Sequence, residues 1–262
     1  METASVSPIA RPTSSKPSAV PLILPPASLM RAVGRAIGDY TMIRPGDRLL
    51  LGLSGGKDSL SLLHILRTLQ QKAPVRFELA AATVDPGIDG YDPAYLKTYV
   101  AGLGLPYFYR RQAIVARALN GMRGESFCAY CARMRRGILY ATARAEGYNV
   151  LVLAQHLDDL AESFLMSAFH NGRLKTMKAH YRVDAGDLRV IRPLLYVRER
   201  QTGDFAARAG FPVAQDNCPA CFRVPTQRLH VKQLLAKEEQ GHKRLFSSIL
   251  SAMRPLMGDN NV

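Results

Sequence analysis

The segment Ser54-Gly55-Gly56-Lys57-Asp58-Ser59, set between an apolar run and a helical one, constrains this chain more than any other feature. The run from Arg48 to Leu53 is leucine-rich and nearly continuous, as in a parallel strand buried on both faces. Leu60 to Leu69 follows, with Leu62, Leu66 and Leu69 spaced for one face of a helix. Two adjacent glycines let the backbone turn sharply and approach an anion with no Cβ in the way. The N-terminus of the next helix offers unpaired N–H groups and a positive dipole end. Lys57 adds a charge, and Ser54 and Ser59 add hydroxyls. In open α/β sheets ligands bind outside the carboxyl ends of strands, which is where this loop falls. It is not a Walker A loop, because Leu51 and Asp58 stand where that motif needs Gly and Ser/Thr. Nor is it the dinucleotide G-x-G-x-x-G. A glycine turn without a ligand is the bland alternative, and the two hydroxyls and the lysine argue against it.

The same alternation continues along the chain. Helices are expected over 30–40, Pro93–Gly102, Ala132–Glu146, Asp158–Phe169 and Arg198–Ala209. Strands are expected over Phe77–Val84, Pro106–Tyr109, Asn149–Ala154 and Leu188–Ile191. Two further helices fall near 226–238 and 242–255, after a cysteine-bearing loop. Strands alternating with helices imply βαβ units, so the expected fold is α/β, a doubly wound parallel sheet with a helical C-terminal part. Residues 1–29 hold six Pro, six Ser and four Ala and read as a disordered tail. The expected division is that tail, an α/β domain over 30–215 carrying a CxxC insertion, and the Cys-bearing loop with terminal helices over 216–262.

Four cysteines form two pairs, Cys128-x-x-Cys131 and Cys218-x-x-Cys221, with 86 residues between them. Two CxxC pairs in a chain of this size read as a metal site rather than a disulfide framework. Spacing leaves three readings open: a structural Cys₄ zinc site, a redox disulfide within one pair, or an iron–sulfur cluster. The other histidines, His64, His170, His180, His230 and His242, show no ligand spacing and read as structural or surface groups.

Charge narrows the partner. The chain carries 35 Lys+Arg against 21 Asp+Glu, a net +14, with pI near 9.9. Residues 110–144 hold eight arginines and one acid, Glu125; residues 170–200 hold eight bases against Asp184, Asp187 and Glu199. Arginine's planar fork suits phosphate, so two such runs beside a phosphate loop point to a nucleic-acid partner. With 47% hydrophobic residues the chain can bury a core, and no run approaches the ~20 apolar residues of a membrane span. A cytoplasmic protein with no membrane partner is expected.

The loop Ser54–Ser59 resembles the signature of the PP-loop ATP pyrophosphatases, and Gln155-His156-Leu157-Asp158-Asp159-Leu160-Ala161-Glu162 resembles their second block. The block Cys128-Ala-Tyr-Cys131-Ala-Arg133-Met-Arg135-Arg136-Gly137 resembles the tRNA 2-thiocytidine synthetases, as do Arg192-Pro193-Leu194, Tyr196, Arg198 and Glu199. The likeness runs from about Leu29 to the C-terminus. It implies an adenine nucleotide α-hydrolase-like fold and ATP- and Mg²⁺-dependent 2-thiolation of cytidine 32 in tRNA, through an adenylated base. Other PP-loop tRNA modifiers, of 2-thiouridine or lysidine type, are the alternative enzymes, and a zinc-stapled RNA-binding protein is the alternative without catalysis. The resemblance assigns Ser54, Gly55, Gly56, Lys57, Asp58, Ser59, Thr83, His156 and Asp158 to nucleotide binding. Asp58 and Asp159 take catalytic roles, and the two acids of the second block hold Mg²⁺ or orient the attacking group. A [4Fe-4S] cluster would sit on three cysteines, Cys128, Cys131 and Cys218, with Cys221 the alternative third ligand. The implied partners are tRNA and a cysteine desulfurase as sulfur source, and the resemblance allows a homodimer.

Overall fold

The computed structural model describes residues 20–88, 92–121, 127–214 and 226–258. The chain runs through α1 (Ala27–Asp39), β1 (Arg48–Gly52), α2 (Lys57–Lys72), β2 (Glu78–Asp85), α3 (Ala94–Gly102) and β3 (Tyr107–Arg111). It continues through α4 (Ile114–Gly121), α5 (Phe127–Ala145), β4 (Val150–Val152), α6 (Leu157–Asn171), β5 (His180–Arg182) and β6 (Arg189–Ile191). Helices α7 (Glu199–Ala209), α8 (Gln227–Gly241) and α9 (Leu245–Met257) close it. The strands make one sheet in the order β3-β2-β1-β4-β6-β5. All neighbours are parallel except β5 and β6.

Period-two alternation divides the core. Leu49 and Leu51 of β1 face one side with Ala81, Val150, Val152 and Ile191, under α1, α2, α6 and α7. Leu50 faces the other side with Ala80, Ala82, Leu151 and Val190, under α4 and α5. β1, β2, β4 and β6 thus bury both faces, whereas the edge strands β3 and β5 do not, which is why β1 reads as uninterrupted leucine rather than as an alternating strand. Helix α2 goes further than its spacing suggested. Leu60, Leu62, Leu63, Ile65 and Leu66 are all buried, because α7 covers the flank of α2 that turns away from the sheet. Leu69, expected on the buried face, is only half-buried.

Four features differ from expectation. The boundary expected at residue 29 falls inside α1, and the chain already makes contacts at Val20, whose N–H donates to the Gly102 carbonyl at 3.1 Å. Helix α5 starts at Phe127 instead of Ala132, so Cys128 and Cys131 lie within its first five residues. Helix α4 was not anticipated. Nor was β5, an antiparallel strand of three residues, too short to show a period. Residues 1–19 and the second cysteine pair, Cys218 and Cys221, lie outside the described residues.

The strand order places the site. The chain enters at β1, moves outward to β2 and β3, then returns to the opposite side of β1 as β4. The loops leaving the carboxyl ends of β1 and β4 therefore diverge and open a crevice between them. The glycine loop leaves β1, and the His156–Glu162 block leaves β4.

Candidate functional site

Gly55 has φ +83°, and a Cβ there would lie 2.9 Å from the Tyr95 hydroxyl oxygen and 3.1 Å from the Ala214 Cβ. Only glycine fits this turn. Its carbonyl accepts the Ala214 N–H at 2.9 Å, which ties the loop to the chain just ahead of the second cysteine pair. Ser54 and Ser59 hydroxyls lie 3.1 Å apart, and the Ser59 hydroxyl donates to the Gly56 carbonyl at 3.0 Å. Gly56 occupies the N-cap of α2 and has no side chain to cap it. The first amides of α2 thus face the crevice with no side-chain acceptor at the cap, as an anion site requires.

Lys57 and Asp58 are held from α7. The Lys57 ammonium lies 2.9 Å from Asp58 Oδ2 and 3.0 Å from Glu199 Oε1. Thr202 Oγ1 donates to Asp58 Oδ1. Glu199 takes a second cation, Lys232 of α8, at 2.6 Å. Burial opposes the charge on Glu199, but the hydrogen bonds from Lys232 and Lys57 outweigh it and draw the carboxyl down to about 2. Burial likewise works against the charge of Lys57, and its bonds to Asp58 and Glu199 raise its pKa regardless.

The second block sits opposite. His156 is buried and caps α6: its Nδ1 accepts the Asp159 N–H at 3.3 Å, and its own N–H donates to Asp159 Oδ2 at 3.0 Å. Its Nε2 lies 3.8 Å from Asp58 Oδ2, which brings the two motifs within one side chain of each other. Asp158 Oδ2 accepts the Glu199 N–H at 2.7 Å, and Arg198 Nε lies 3.1 Å and 3.2 Å from its two oxygens. Arg198 is fixed in turn by both oxygens of Glu239, at 2.6 Å and 2.9 Å, and by the Phe246 ring beneath it. Asp159 Oδ1 pairs with Arg228, which also reaches the buried Glu162 at 2.6 Å. Burial raises the Glu162 pKa against the pull of Arg228.

Most of the sequence-predicted residues therefore converge. The two motifs meet where His156 Nε2 lies 3.8 Å from Asp58 Oδ2, and Lys57 and Asp158 line the same cleft. Thr83 does not offer its side chain: it is fully buried, and its hydroxyl donates to the Leu53 carbonyl at 2.7 Å, fastening β2 to the start of the loop. Asp159 spends one oxygen on the helix cap. Sequence reasoning did not assign Glu199, Thr202, Arg228, Lys232 or Glu239 to the site. Glu199 and Arg198 stood in a family-like block; Arg228 and Lys232, four apart on one face of α8, carried no separate signal. Lys57, Glu199, Lys232, Arg198 and Phe246 line a cleft of about 420 Å³ between α7, α8 and α9.

Cys128 is exposed and Cys131 half-buried, three residues apart and so on one face of α5 near its start. Leu139 of the same helix lies beside Gly52, at the carboxyl end of β1. Eight residues separate it from Cys131, a rise of about 12 Å, so the cysteines project beyond the end of the sheet where the glycine loop lies. Two thiols so placed fit two ligand positions of a metal centre. Among the described residues no three His, Cys, Asp or Glu side chains converge on a metal ion. No helix of the described residues is long and apolar enough to cross a membrane.

A parallel sheet with this loop at its switch point defines a PP-loop protein, and the family described as PP-loop domain matches residues 28–237. Within that class the chain belongs to the tRNA-cytidine(32) 2-sulfurtransferase family. It is 40% identical over 226 residues to the tRNA-cytidine(32) 2-sulfurtransferase of Pelobacter propionicus, covering 86% of this chain and 84% of that one. It is also 40% identical over 229 residues to that of Stenotrophomonas maltophilia, covering 86% and 74%. The U34-tRNA thiolase NcsA from Methanococcus maripaludis, solved with its [4Fe-4S] cluster, shares the fold with a TM-score of 0.73 and 24% identity. That match covers 87% of this chain and 78% of the other.

Proposed function

We propose that the chain activates cytidine 32 of tRNA with ATP and replaces its C2 oxygen with sulfur. The observation that carries this reading is the placement of an anion-cradling loop and a cysteine-bearing helix turn at the same end of one sheet, in a chain 40% identical to tRNA-cytidine(32) 2-sulfurtransferases. ATP lays its β- and γ-phosphates on Gly55–Ser59. The C2 oxygen of the base attacks the α-phosphorus, the bond to the bridging oxygen breaks, and pyrophosphate leaves. Lys57 and the α2 amides neutralise charge that builds on the leaving pyrophosphate. Asp58, held by Thr202, orients Lys57. Asp158 and Asp159 are the carboxylates that would hold a Mg²⁺ once Arg198 and Arg228 give way to it; when bound, it would neutralise charge on the phosphates.

The oxygen, now carrying AMP, departs as sulfur takes its place. Cys128 and Cys131, with Cys218 as third ligand and Cys221 as the alternative, would hold a [4Fe-4S] cluster; when bound, it supplies the incoming sulfur. A cysteine desulfurase in the cytoplasm is the proposed source; its persulfide sulfur is brought to sulfide by two electrons from a thiol reductant before it displaces AMP. The arginine runs grip tRNA phosphates.

Nucleoside mass spectrometry of tRNA from a strain lacking this chain tests the reading. Loss of 2-thiocytidine alone is expected, restored by the wild-type chain and not by Lys57→Ala. Unchanged thionucleosides would sink it. Anaerobically purified protein should hold about four irons, as one cubane requires. Zinc-loaded protein that thiolates tRNA without iron would overturn the cluster assignment.

A further inference from the structure

Lys57 cannot serve a polyphosphate while it stays locked between two carboxylates. Its ammonium is bonded to Asp58 at 2.9 Å and to Glu199 at 3.0 Å. Glu199 is the shared group, because its other oxygen holds Lys232 at 2.6 Å. Two cations and two anions sum to zero across this chain of contacts. When Lys57 turns toward phosphate, Glu199 loses one partner and keeps the other. Without Lys232 it would become an uncompensated carboxylate, three-quarters buried, facing a polyanion. Repulsion between such charges acts through partly buried surroundings and is only weakly screened.

Resting on the reading of Ser54–Ser59 as the ATP loop, we propose that Lys232 is a positioning residue of that site, which neutralises Glu199 so that Lys57 is released to the phosphates. The wider geometry agrees. Lys232 comes from α8, whose first turn carries Arg228 on Asp159 and Glu162, and whose last turn carries Glu239 on Arg198. One helix therefore contacts the partners of both motifs, and only its docked position supplies the counterion.

The role is distinguishable from a structural one, because removing the carboxylate should cure the loss of the lysine. Equilibrium dialysis of Mg²⁺–ATP against the full-length protein measures this directly. Lys232→Met should weaken ATP binding about tenfold, the scale of one unpaired charge near a charged ligand. Lys232→Arg should bind like wild type, and Glu199→Gln/Lys232→Met should return to within about twofold of it. Lys232 is half-exposed, so its loss spares the core; thermal melting and a parallel Lys232→Gln variant guard against a folding artefact. Unchanged affinity in Lys232→Met and Lys232→Gln overturns the proposal, as does a double variant as weak as Lys232→Met. Failure of the wild type itself to bind ATP would overturn the ATP-loop reading, and this one with it.

Discussion

Gly55 shows what one missing Cβ secures. At φ +83° and against Tyr95 and Ala214, any side chain costs about 1–2 kcal/mol of backbone strain before the contacts are counted. Gly55→Ala should lower ATP affinity at least about tenfold while α2 remains folded, measured by ATP titration alongside circular dichroism. His64 makes a different point. It is wholly buried in α2, stacks on Phe211 at 4.7 Å, lies 2.8 Å from the Tyr99 hydroxyl through Nε2, and accepts the Ile23 N–H at Nδ1. Burial lowers its pKa from 6.5 to about 4. The unfolded chain then binds a proton that the folded chain refuses between these values. Stability should fall as pH drops from about 6.5 to about 4, by roughly 3 kcal/mol from this group, and stay level in this term below that. Denaturant melts of His64→Gln across this range should lose that slope; an unaltered slope would assign it elsewhere.

At the scale of elements, legibility followed burial pattern and length. β1, β2 and α2 were readable because long apolar runs have one structural meaning when bounded by glycine. The convergence of Ser54–Ser59 with His156 and Asp158 was readable because both motifs follow strands. β5 was not, since three residues cannot show a period. Lys232 was not, since a lysine on a polar helix face looks the same whether it meets water or a carboxylate, and Glu199, 33 residues earlier, reaches it only by folding. The start of α1 was misplaced because Pro21, Pro25 and Pro26 mark non-helical chain without saying whether it packs. Pack it does: Val20 bonds Gly102 and Ile23 bonds His64. A chain starting at Ala27 should therefore be less stable than one starting at Val20 by about 1–3 kcal/mol, as the loss of two backbone hydrogen bonds and two apolar contacts implies. Equal urea midpoints would show that the segment contributes nothing.

At the scale of the molecule, net charge decides how the chain meets RNA. Within the two runs Arg189 and Arg192 are buried and Arg198 is locked to Asp158 and Glu239, so the side chains proposed to meet phosphate and release its counterions are exposed ones such as Arg117, Arg173, Arg182 and Arg200. Six such contacts would cost about a thousandfold in tRNA affinity between about 50 and 200 mM salt. Filter binding across that range should give a steep log–log slope, and a flat one would remove these runs from the RNA face.

The two margins of the sheet add a last consequence. β3 ends in Arg110 and Arg111, and β5 is three residues ending in Arg182. Unpaired strand margins invite another sheet to add on, and short length and charge are the usual guards. On β3, Arg110 is paired with Glu146 and Arg111 with Asp85, so that margin presents ion pairs to an approaching copy, while β5 is guarded by being only three residues long. Trading these charged side chains for apolar ones would turn the margin into a template for another sheet, and aggregation would follow.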